Sequence, residues 1–475
     1  MTATVEEREA SDAQHARGRL VARERLDILF DQGSLTQAEP AGDGVITVHG
    51  TIRGRPAMAF SQDVTAAGGI ITPAHAEKIG RLIDQAVAAR MPIVGLYDSP
   101  GAALDGGLIG LEAQATLMRQ QAGARGRIPQ VALVFGETAG AAALSPALAD
   151  VTFMLQADAA LLLAGSHVLR DATGELASTA MLGGATLHGT QTGIADGVFD
   201  DEIELLFAAR ALLGLLPDAR AAPLVPCDAD DRLAPALDTL VPLDAATPYD
   251  MHEVARTIVD ERDLFALQPD HAPNLICALG RIGGHGVGIL ANQPLVLGGA
   301  LDTAATRKAV RFVQLCTRLG LPLVTLIDTP GFLPTRAEAG QGIVREAAML
   351  LAALADLPTP SVTIVTRRAV GAGWAALAPA SDRRATCYAW PTAEIAAMGG
   401  DAAADRLFDH GEDQKKRDYA ARIADPTHAV AAGLVRAVIR PATTRQVIVA
   451  ALREAAEAQE FGSMLPNTFS NRSGT

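Results

Sequence analysis

The chain is poor in cysteine and positive charge, and it lacks long apolar runs. Its four cysteines are far apart and form no CxxC pair, so neither a zinc ribbon nor a redox motif is supported. No apolar run approaches the roughly 18 residues of a spanning helix, and the first residues are charged, unlike a signal peptide. The net charge of −14 argues against a nucleic-acid surface. We expect a reduced, cytoplasmic protein that binds neither membrane nor nucleic acid.

The residue patterns of metal-dependent and nucleophilic catalysis are also missing. No group of residues has metal-ligand spacing, and His410, Glu412 and Asp413 are best explained as a solvated loop. No histidine stands where it could serve Ser99 as a general base. We therefore expect no metal, and a site that works through backbone amides.

What the chain does contain is an internal repeat. Residues 91–102, MPIVGLYDSPGA, return as residues 321–332, LPLVTLIDTPGF, at an offset of 230 residues. Each copy is an apolar run of strand length that ends in a corner, Asp-Ser/Thr-Pro-Gly, so that Asp98 matches Asp328. Because the period is the size of a domain, we predict two copies of one fold.

Both halves alternate short apolar strands with amphipathic helices. The first half predicts a hairpin over 45–62, a helix over 73–90 and a strand over 93–97. Such alternation indicates stacked βαβ units with a parallel sheet, which is the α/β class. A stretch rich in proline, alanine and aspartate separates the halves. We predict an N-terminal domain over 1–225, a linker over 226–247 and a C-terminal domain over 248–475.

Loops of small residues follow equivalent strands in the two halves. In the first half the loop spans 136–143, and in the second it includes residues 370–373. Adjacent amides at a helix start lack intrahelical partners and can stabilise a developing oxyanion. A single loop of this kind is more often close packing, but its duplication favours a symmetric site that holds two carbonyl oxygens.

Residues 5–30 are charged and helix-prone, with arginines between the apolar positions. The simpler interpretation is a solvated surface helix. The alternative is a basic helix that meets a phosphate.

With these motifs, the chain resembles the carboxyltransferase (β) subunits of biotin-dependent acyl-CoA carboxylases, especially the propionyl-CoA type. The matching stretches are RGRLVARERLDIL at 17–29, FSQDVTAAGG at 60–69, TGIADGVF at 192–199, PYDM at 248–251, NQPLVLGGAL at 292–301, DTPGFLP at 328–334 and AWPTAEIAAM at 389–398. The resemblance implies two duplicated crotonase-like (ClpP/crotonase) βαβ-spiral domains. It also implies acyl-CoA and biotin sites between the first domain of one subunit and the second domain of its partner.

The resemblance further implies residue roles. The amides of Gly140 and Ala141 would hold the acyl thioester carbonyl, and those of Ala372 and Gly373, next to Gly371, would hold the ureido oxygen of biotin. Carboxybiotin would release CO2, the biotin anion would remove the α-proton, and the enolate would attack CO2, so the protein needs no base of its own. The residues implied in substrate binding are Arg17, Arg19, Gly68, Gly69, Ser99, Gly101, Ala102, Gly165, Ser166, Trp374 and Ala375.

The implied partners follow from a missing motif. No Ala-Met-Lys-Met biotinylation sequence is present, so the biotin would be carried by a separate chain. The resemblance implies a biotin carboxylase, a biotin carrier subunit, a coenzyme A thioester as substrate, and a homo-oligomer that is a hexamer built from dimers.

The chain departs from the family pattern in the pockets. Ala103, Gly106, Met349, Val370 and Ala375 stand where larger or charged residues are usual. We therefore expect a bulkier or more polar acyl group, with weak or absent carboxylation of acetyl- and propionyl-CoA. Two alternatives stay open: a biotin-independent (carboxy)acyl-CoA decarboxylase or acyl-transfer enzyme on the same fold, and a non-catalytic paralogue that assembles with an active subunit.

One departure lies in the first amide pair, where alanine replaces a usual glycine. If the second residue of that pair needs a positive φ, Ala141 would cost roughly 1 kcal/mol or more.

Overall fold

The computed structural model describes residues 5–40, 42–102, 106–216, 232–244, 247–378, 385–409 and 412–464. The chain divides into two compact units, Met1–Ala221 with Leu267–His271, and Ala222–Ala266 with Ala272–Thr475. Of the predicted linker, residues 232–244 are described, and they contribute Ala234, Leu237 and Val241 to the core of the second unit. That part of the chain therefore packs within a unit, while the predicted domain bounds stay a prediction.

The first unit contains eight strands among its described residues. They are β1 (Thr36–Gln37), β2 (Val45–Ile52), β3 (Arg55–Gln62), β4 (Ile93–Ser99), β5 (Gln130–Ala139), β6 (Val151–Leu155), β7 (Ala160–Leu162) and β8 (Gly197–Phe199). Its α-helices are Val5–Ala16, Ala22–Leu29, Pro73–Ala89, Gly107–Ala124, Leu144–Leu148, Ser166–Thr173, Thr179–Gly183, Ala185–Leu187 and Glu202–Leu215. Short 3-10 turns cover Ala67–Gly69 and Gly140–Ala143, and a π-helical turn covers His188–Thr192.

The second half contributes strands β9 (Leu264–Leu267), β10 (Leu275–Ile282), β11 (His285–Asn292), β12 (Leu323–Thr329), β13 (Ser361–Val370), β14 (Ala385–Ala389), β15 (Glu394–Ala396) and β16 (Ala437–Val438). Its α-helices are Leu237–Leu240, Met251–Ile258, Thr303–Leu319, Arg336–Gln341, Ile343–Ala355, Gly371–Leu377, Gly400–Leu407, Asp413–Ile423, Thr427–Ala431 and Thr444–Met464. Its 3-10 turns are Asp260–Arg262, Leu297–Gly299 and Pro441–Thr443.

The two sheets have the same strand order, which confirms the predicted duplication. The first runs β1-β2-β3-β4-β5-β6-β8 with β7 beside β5, and the second runs β9-β10-β11-β12-β13-β14-β16 with β15 beside β13. In each, a hairpin (β2–β3 or β10–β11) is antiparallel, and the strands that follow it pair in parallel. Parallel neighbours and covering helices bury β4 and β12 completely, which is why both read as continuous apolar runs.

Equivalent helices start with equivalent caps. Thr72 accepts a hydrogen bond from the amide of His75 at 3.2 Å, and Asp302 accepts one from Ala305 at 2.7 Å. Each cap satisfies an otherwise unpaired first-turn amide. The helices Pro73–Ala89 and Thr303–Leu319 therefore begin at equivalent positions of the repeat, before the corner in each unit.

The loop predicted over 136–143 begins later than expected. Strand β5 continues to Ala139 because Glu137–Ala139 pair with β7, and β13 likewise reaches Val370 by pairing with β15. The predicted helix over 5–30 is also interrupted, since Val5–Ala16 and Ala22–Leu29 are separate helices.

Candidate active site

The duplicated corners have the same backbone architecture in both units. The Ser99 hydroxyl donates to the carbonyl of Gly69 and accepts from the amide of Gly101 at 3.2 Å. In the second unit, the amide of Gly331 donates to the Thr329 hydroxyl at 3.1 Å. Three of the predicted substrate-binding residues, Gly69, Ser99 and Gly101, are therefore brought together at one corner.

That corner lies against the end of strand β5. A Cβ placed on Gly101, whose φ is +109°, would lie 2.8 Å from the carbonyl oxygen of Ala139. Ala102 extends the same contact region through a parallel bridge to Ile71. The first corner is thus packed directly beside the residue that precedes Gly140.

The carboxylate of Asp98 is buried among cations from the N-terminal segment. Arg19 Nη2 and Arg25 Nη1 each donate to Asp98 Oδ2 at 2.9 Å. Arg25 also donates to both oxygens of Glu202 at 2.8 Å. Burial by itself lowers the pKa of Arg25, but its hydrogen bonds and attraction to Glu202 and Asp98 raise that pKa above its ordinary value.

This cluster corrects the interpretation as a solvated surface helix for the later part of the N-terminal segment, from Arg19 through the helix Ala22–Leu29. Arg19 and Arg25 are 7% and 1% exposed, so both guanidinium groups lie inside the unit. Arg19 also donates to the carbonyl of Phe135 at 2.9 Å, which leaves little of its surface for a phosphate. Arg17 is exposed, and a contact with substrate stays a prediction for it.

The second corner neutralises its aspartate with different residues. Arg367 Nε donates to Asp328 Oδ2 at 2.9 Å, and Arg368 Nε donates to Asp328 Oδ1 at 3.2 Å. Both arginines belong to strand β13 itself. The duplicated acid is therefore paired in both units, but its cations come from the adjacent strand in one unit and from the N-terminal segment in the other.

Strand register explains why the first unit needs a distant cation. Tyr97 pairs with Val134 and Ile327 pairs with Val365, so Gly136 occupies the place of Arg367. With no side chain at Gly136, the space beside Asp98 is left for Arg19.

We expect Gly136→Ala to lower the free energy of unfolding by about 1–3 kcal/mol, because extra atoms in a packed interior force side chains apart. The added Cβ would lie 2.1 Å from Asp98 Oδ1. Chemical denaturation measures the effect. Gly123→Ala is the matched control, since a Cβ there meets nothing within 4 Å in an exposed helical position. Equal stability of the Gly136→Ala variant and the parent would contradict the proposed crowding.

The two amide loops share one backbone device. Gly140 has φ +64° and Gly371 has φ +58°, and each directly follows the last residue of its strand, Ala139 or Val370. A left-handed residue at this point turns the chain sharply out of the strand into a helical turn. The turn leaves the amides that follow without intrahelical partners.

The alanine in the first pair carries no conformational penalty. The left-handed residue is Gly140, whereas Ala141 has an ordinary negative φ within the 3-10 turn. The cost that the sequence analysis attached to Ala141 was conditional on a positive φ, and that condition is not met. Alanine is compatible with this loop.

The other predicted site residues lie on several elements, some of them next to these loops. Gly165 precedes the helix Ser166–Thr173, a few residues after β7, the strand that pairs with the end of β5. Trp374 and Ala375 lie on the helix Gly371–Leu377, where Ala372 and Ala375 are exposed and Gly373 is buried. Gly68 lies in the 3-10 turn before Gly69.

Of the departures from the family pattern, Met349 is 46% exposed, Val370 is buried, and Ala103 lies outside the described residues.

The cysteines have a structural environment. Cys277, Cys316 and Cys387 are buried, and burial raises the pKa of Cys387 to about 12 and also raises that of Cys316. Such thiols are poor nucleophiles at neutral pH.

Among the described residues, no group of three or more His, Cys, Asp or Glu side chains is arranged to hold a metal ion. No helix in the described ranges is long and apolar enough to span a membrane.

Two crotonase-like units, each with a glycine-led amide loop at the end of a central strand, define a duplicated crotonase-like enzyme. The chain belongs to the carboxyl transferase domain family, which matches residues 13–467. It is 39% identical over 465 residues to the propionyl-CoA carboxylase beta chain of Roseobacter denitrificans, covering 93% of this chain and 91% of that one. It is 38% identical over 457 residues to the mitochondrial beta chain of Homo sapiens, covering 91% and 84%.

Solved structures agree with the sequence relatives. The chain resembles the transcarboxylase 12S crystal structure with methylmalonyl-coenzyme A and methylmalonic acid bound, with a TM-score of 0.90, 32% identity, and coverage of 100% of this chain and 99% of that chain. A second structure of the same protein, with hydrolysed methylmalonyl-coenzyme A, gives a TM-score of 0.88 at 34% identity and covers 98% and 94%. The chain is thus an acyl-CoA carboxyltransferase of the propionyl-CoA carboxylase beta type, and the two alternative functions are not favoured.

Proposed function

We propose that the first amide loop holds the thioester oxygen of an acyl-CoA and that the second holds the ureido oxygen of biotin on a carrier protein. The observation that supports this proposal is that one backbone turn occurs twice. Gly140 and Gly371 have nearly the same φ, and each directly follows the last residue of one of two equivalent strands. In the first loop, the amides of Gly140 and Ala141 would stabilise negative charge as it develops on the thioester oxygen in the enolate. In the second, the donors would be the amides of Ala372 and Gly373.

The second loop fits a neutral carbonyl acceptor. Ala372 is exposed near the start of the helix Gly371–Leu377, where the first amides lack intrahelical partners. Gly373 is packed closely on the corner, since a Cβ there would lie 2.8 Å from the Cα of Gly331. The loop therefore combines an exposed residue, Ala372, with a closely packed one, Gly373. When bound, carboxybiotin supplies the CO2 and the base for the α-proton, so the protein itself contributes orientation and hydrogen bonds.

We further propose that the enzyme works as a homo-oligomer with a biotin carboxylase and a biotin carrier as separate chains. The related transcarboxylase 12S is a hexamer, and this supports the expectation of a hexamer built from dimers. Three expectations stay predictions. They are the composite site between the first unit of one subunit and the second unit of its partner, the assignment of 1–225 and 248–475 as the two domains, and the cytoplasmic location.

The decisive assay is ATP-dependent fixation of labelled bicarbonate into a series of acyl-CoAs, with a competent biotin carboxylase and carrier. We expect avidin-sensitive carboxylation, and we expect a bulkier or more polar acyl-CoA to exceed propionyl-CoA because Gly106 and Ala375 replace larger or charged family residues and leave more space. Ordinary rates with propionyl-CoA would show that these substitutions are silent. Absence of turnover with every acyl-CoA would overturn the proposed function.

A further inference from the structure

A chain of buried polar side chains runs beneath the first amide loop. The Tyr97 hydroxyl lies 2.9 Å from Ser145 Oγ, and Ser145 Oγ donates to Gln121 Oε1 at 2.6 Å. Gln121 Nε2 donates back to the carbonyl of Ser145 at 2.8 Å. Gln130 Nε2 donates to the carbonyl of Gln121 at 3.0 Å, which ties the chain to strand β5.

All members of this network are enclosed. Tyr97, Gln121 and Ser145 are 4%, 4% and 7% exposed. Burial raises the pKa of Tyr97 to about 12, although its hydrogen bonds to Ser145 and Gln121 act in the opposite direction. Tyr97 therefore remains protonated at neutral pH, and since Ser145 donates to Gln121, the tyrosine is the donor to Ser145. Hydrogen bonds in such an interior are costly to leave unmade.

The network is attached to the loop itself. Ser145 is the second residue of the helix Leu144–Leu148, which directly continues the 3-10 turn Gly140–Ala143. Ala141 and Ala142 form one wall of a cavity of ≈ 20 Å³ that Tyr97 and Ser145 also line. A space of this size holds about one water molecule, so only a small gap separates the loop from the hydroxyls of the network.

The second unit has no such polar support at the equivalent positions. The strand register places Ile327 where the first unit has Tyr97. Counting from Gly371, which is equivalent to Gly140, Ala376 takes the place of Ser145. Ile327 and Ala376 are buried apolar residues. The second unit therefore folds without hydroxyl groups at these two positions, which favours a role for the network that is specific to the first loop.

We propose that Tyr97, Ser145 and Gln121 are positioning residues that hold the amides of Gly140 and Ala141 in register with the thioester oxygen. This inference rests on the proposed function of that loop. A displacement on the order of 1 Å at a catalytic group can reduce a rate by about a hundredfold. Because the oxyanion forms in the transition state, the displacement lowers kcat far more than it weakens substrate binding.

The test compares kcat and KM of the full chain, assayed with its biotin carboxylase and carrier. We expect Tyr97→Phe and Ser145→Ala each to lower kcat by about 10- to 100-fold with KM for acyl-CoA changed less than about threefold. The double variant should be no worse than the more severe single variant, because both remove one linkage. Ser145→Thr keeps the hydroxyl and should restore most of the activity.

Tyr388→Phe is the matched control. It also removes the hydroxyl of a tyrosine that is 8% exposed, on strand β14 of the second unit, so any loss of stability should come without the loss of kcat. A parent-like kcat in Tyr97→Phe, with or without a lower melting temperature, would overturn the positioning role. Ala141→Pro separates the two proposals: if it is inactive while Tyr97→Phe is fully active, only the network inference falls. If Ala141→Pro is itself active, the amide-hole proposal falls.

Discussion

An Ala141→Pro variant is expected to lose at least about a hundredfold in kcat, because proline has no backbone N–H and so deletes one donor from the thioester hole. The residue lies in a 3-10 turn with a negative φ, where the ring of proline is sterically less disruptive than in a helix interior. The loss should appear in kcat for the best acyl-CoA, with CoA binding retained, since the deleted hydrogen bond strengthens in the transition state.

The control for this experiment keeps the donor. Ala141→Gly preserves the N–H and removes only a methyl group, so its kcat should stay within a few-fold of the parent. Steady-state kinetics of both variants, together with their melting temperatures, distinguish a missing donor from a distorted loop. Equal activity of Ala141→Pro and Ala141→Gly would show that this amide does not bind the thioester oxygen.

The second large effect concerns stability. Arg25→Met is expected to lower the free energy of unfolding by about 3–5 kcal/mol, the cost of leaving a buried ion pair without one partner. Arg25 is 1% exposed and donates to Asp98 and to both oxygens of Glu202, so its loss leaves two buried carboxylates with Arg19 as their nearest cation. Methionine keeps much of the volume, which limits the contribution of a cavity.

An exposed ion pair provides the comparison. Arg81 and Glu39 lie 2.8 Å apart, but the arginine is half exposed, and Arg81→Met should change stability by about 1 kcal/mol or less. Thermal and urea denaturation of the three proteins measure the difference. Similar stability of Arg25→Met and Arg81→Met would mean that the buried cluster contributes no more than a surface pair.

The repeat and the alternation of strands and helices could be predicted because they depend on local signals. Apolar runs of strand length, helical periodicity and the Asp-Ser/Thr-Pro-Gly corners all lie within short stretches, and the two sheets confirm the duplication. The ends of β5 and β13 were less predictable. Their last residues are small and resemble a loop in sequence, and only pairing with β7 and β15 makes them strand.

The charge cluster could not be derived from the same signals. The segment that contains Arg19 and Arg25 has an incomplete apolar stripe, a pattern typical of a surface helix. The carboxylates that bury these arginines, Asp98 and Glu202, are 73 to 177 positions away from Arg25 along the chain. These charges are buried because segments that are far apart in the sequence pack around them, and the local residue pattern does not predict such contacts.

By itself, the sequence determined a duplicated α/β fold, because strand and helix periodicity are encoded within a few residues of each other, and its motifs resembled the carboxyltransferase family closely enough to imply the crotonase-like class. Tertiary structure alone decided how the two equivalent Asp-Ser/Thr-Pro-Gly corners are neutralised: by β13 arginines at Asp328, and by the N-terminal segment at Asp98. It also decided that the tyrosine of β4 lies 2.9 Å from the hydroxyl of Ser145, on the helix that continues the first amide loop. The physical reason is that electrostatic and hydrogen-bonding partners in an interior are selected by proximity in space, which sequence distance does not measure.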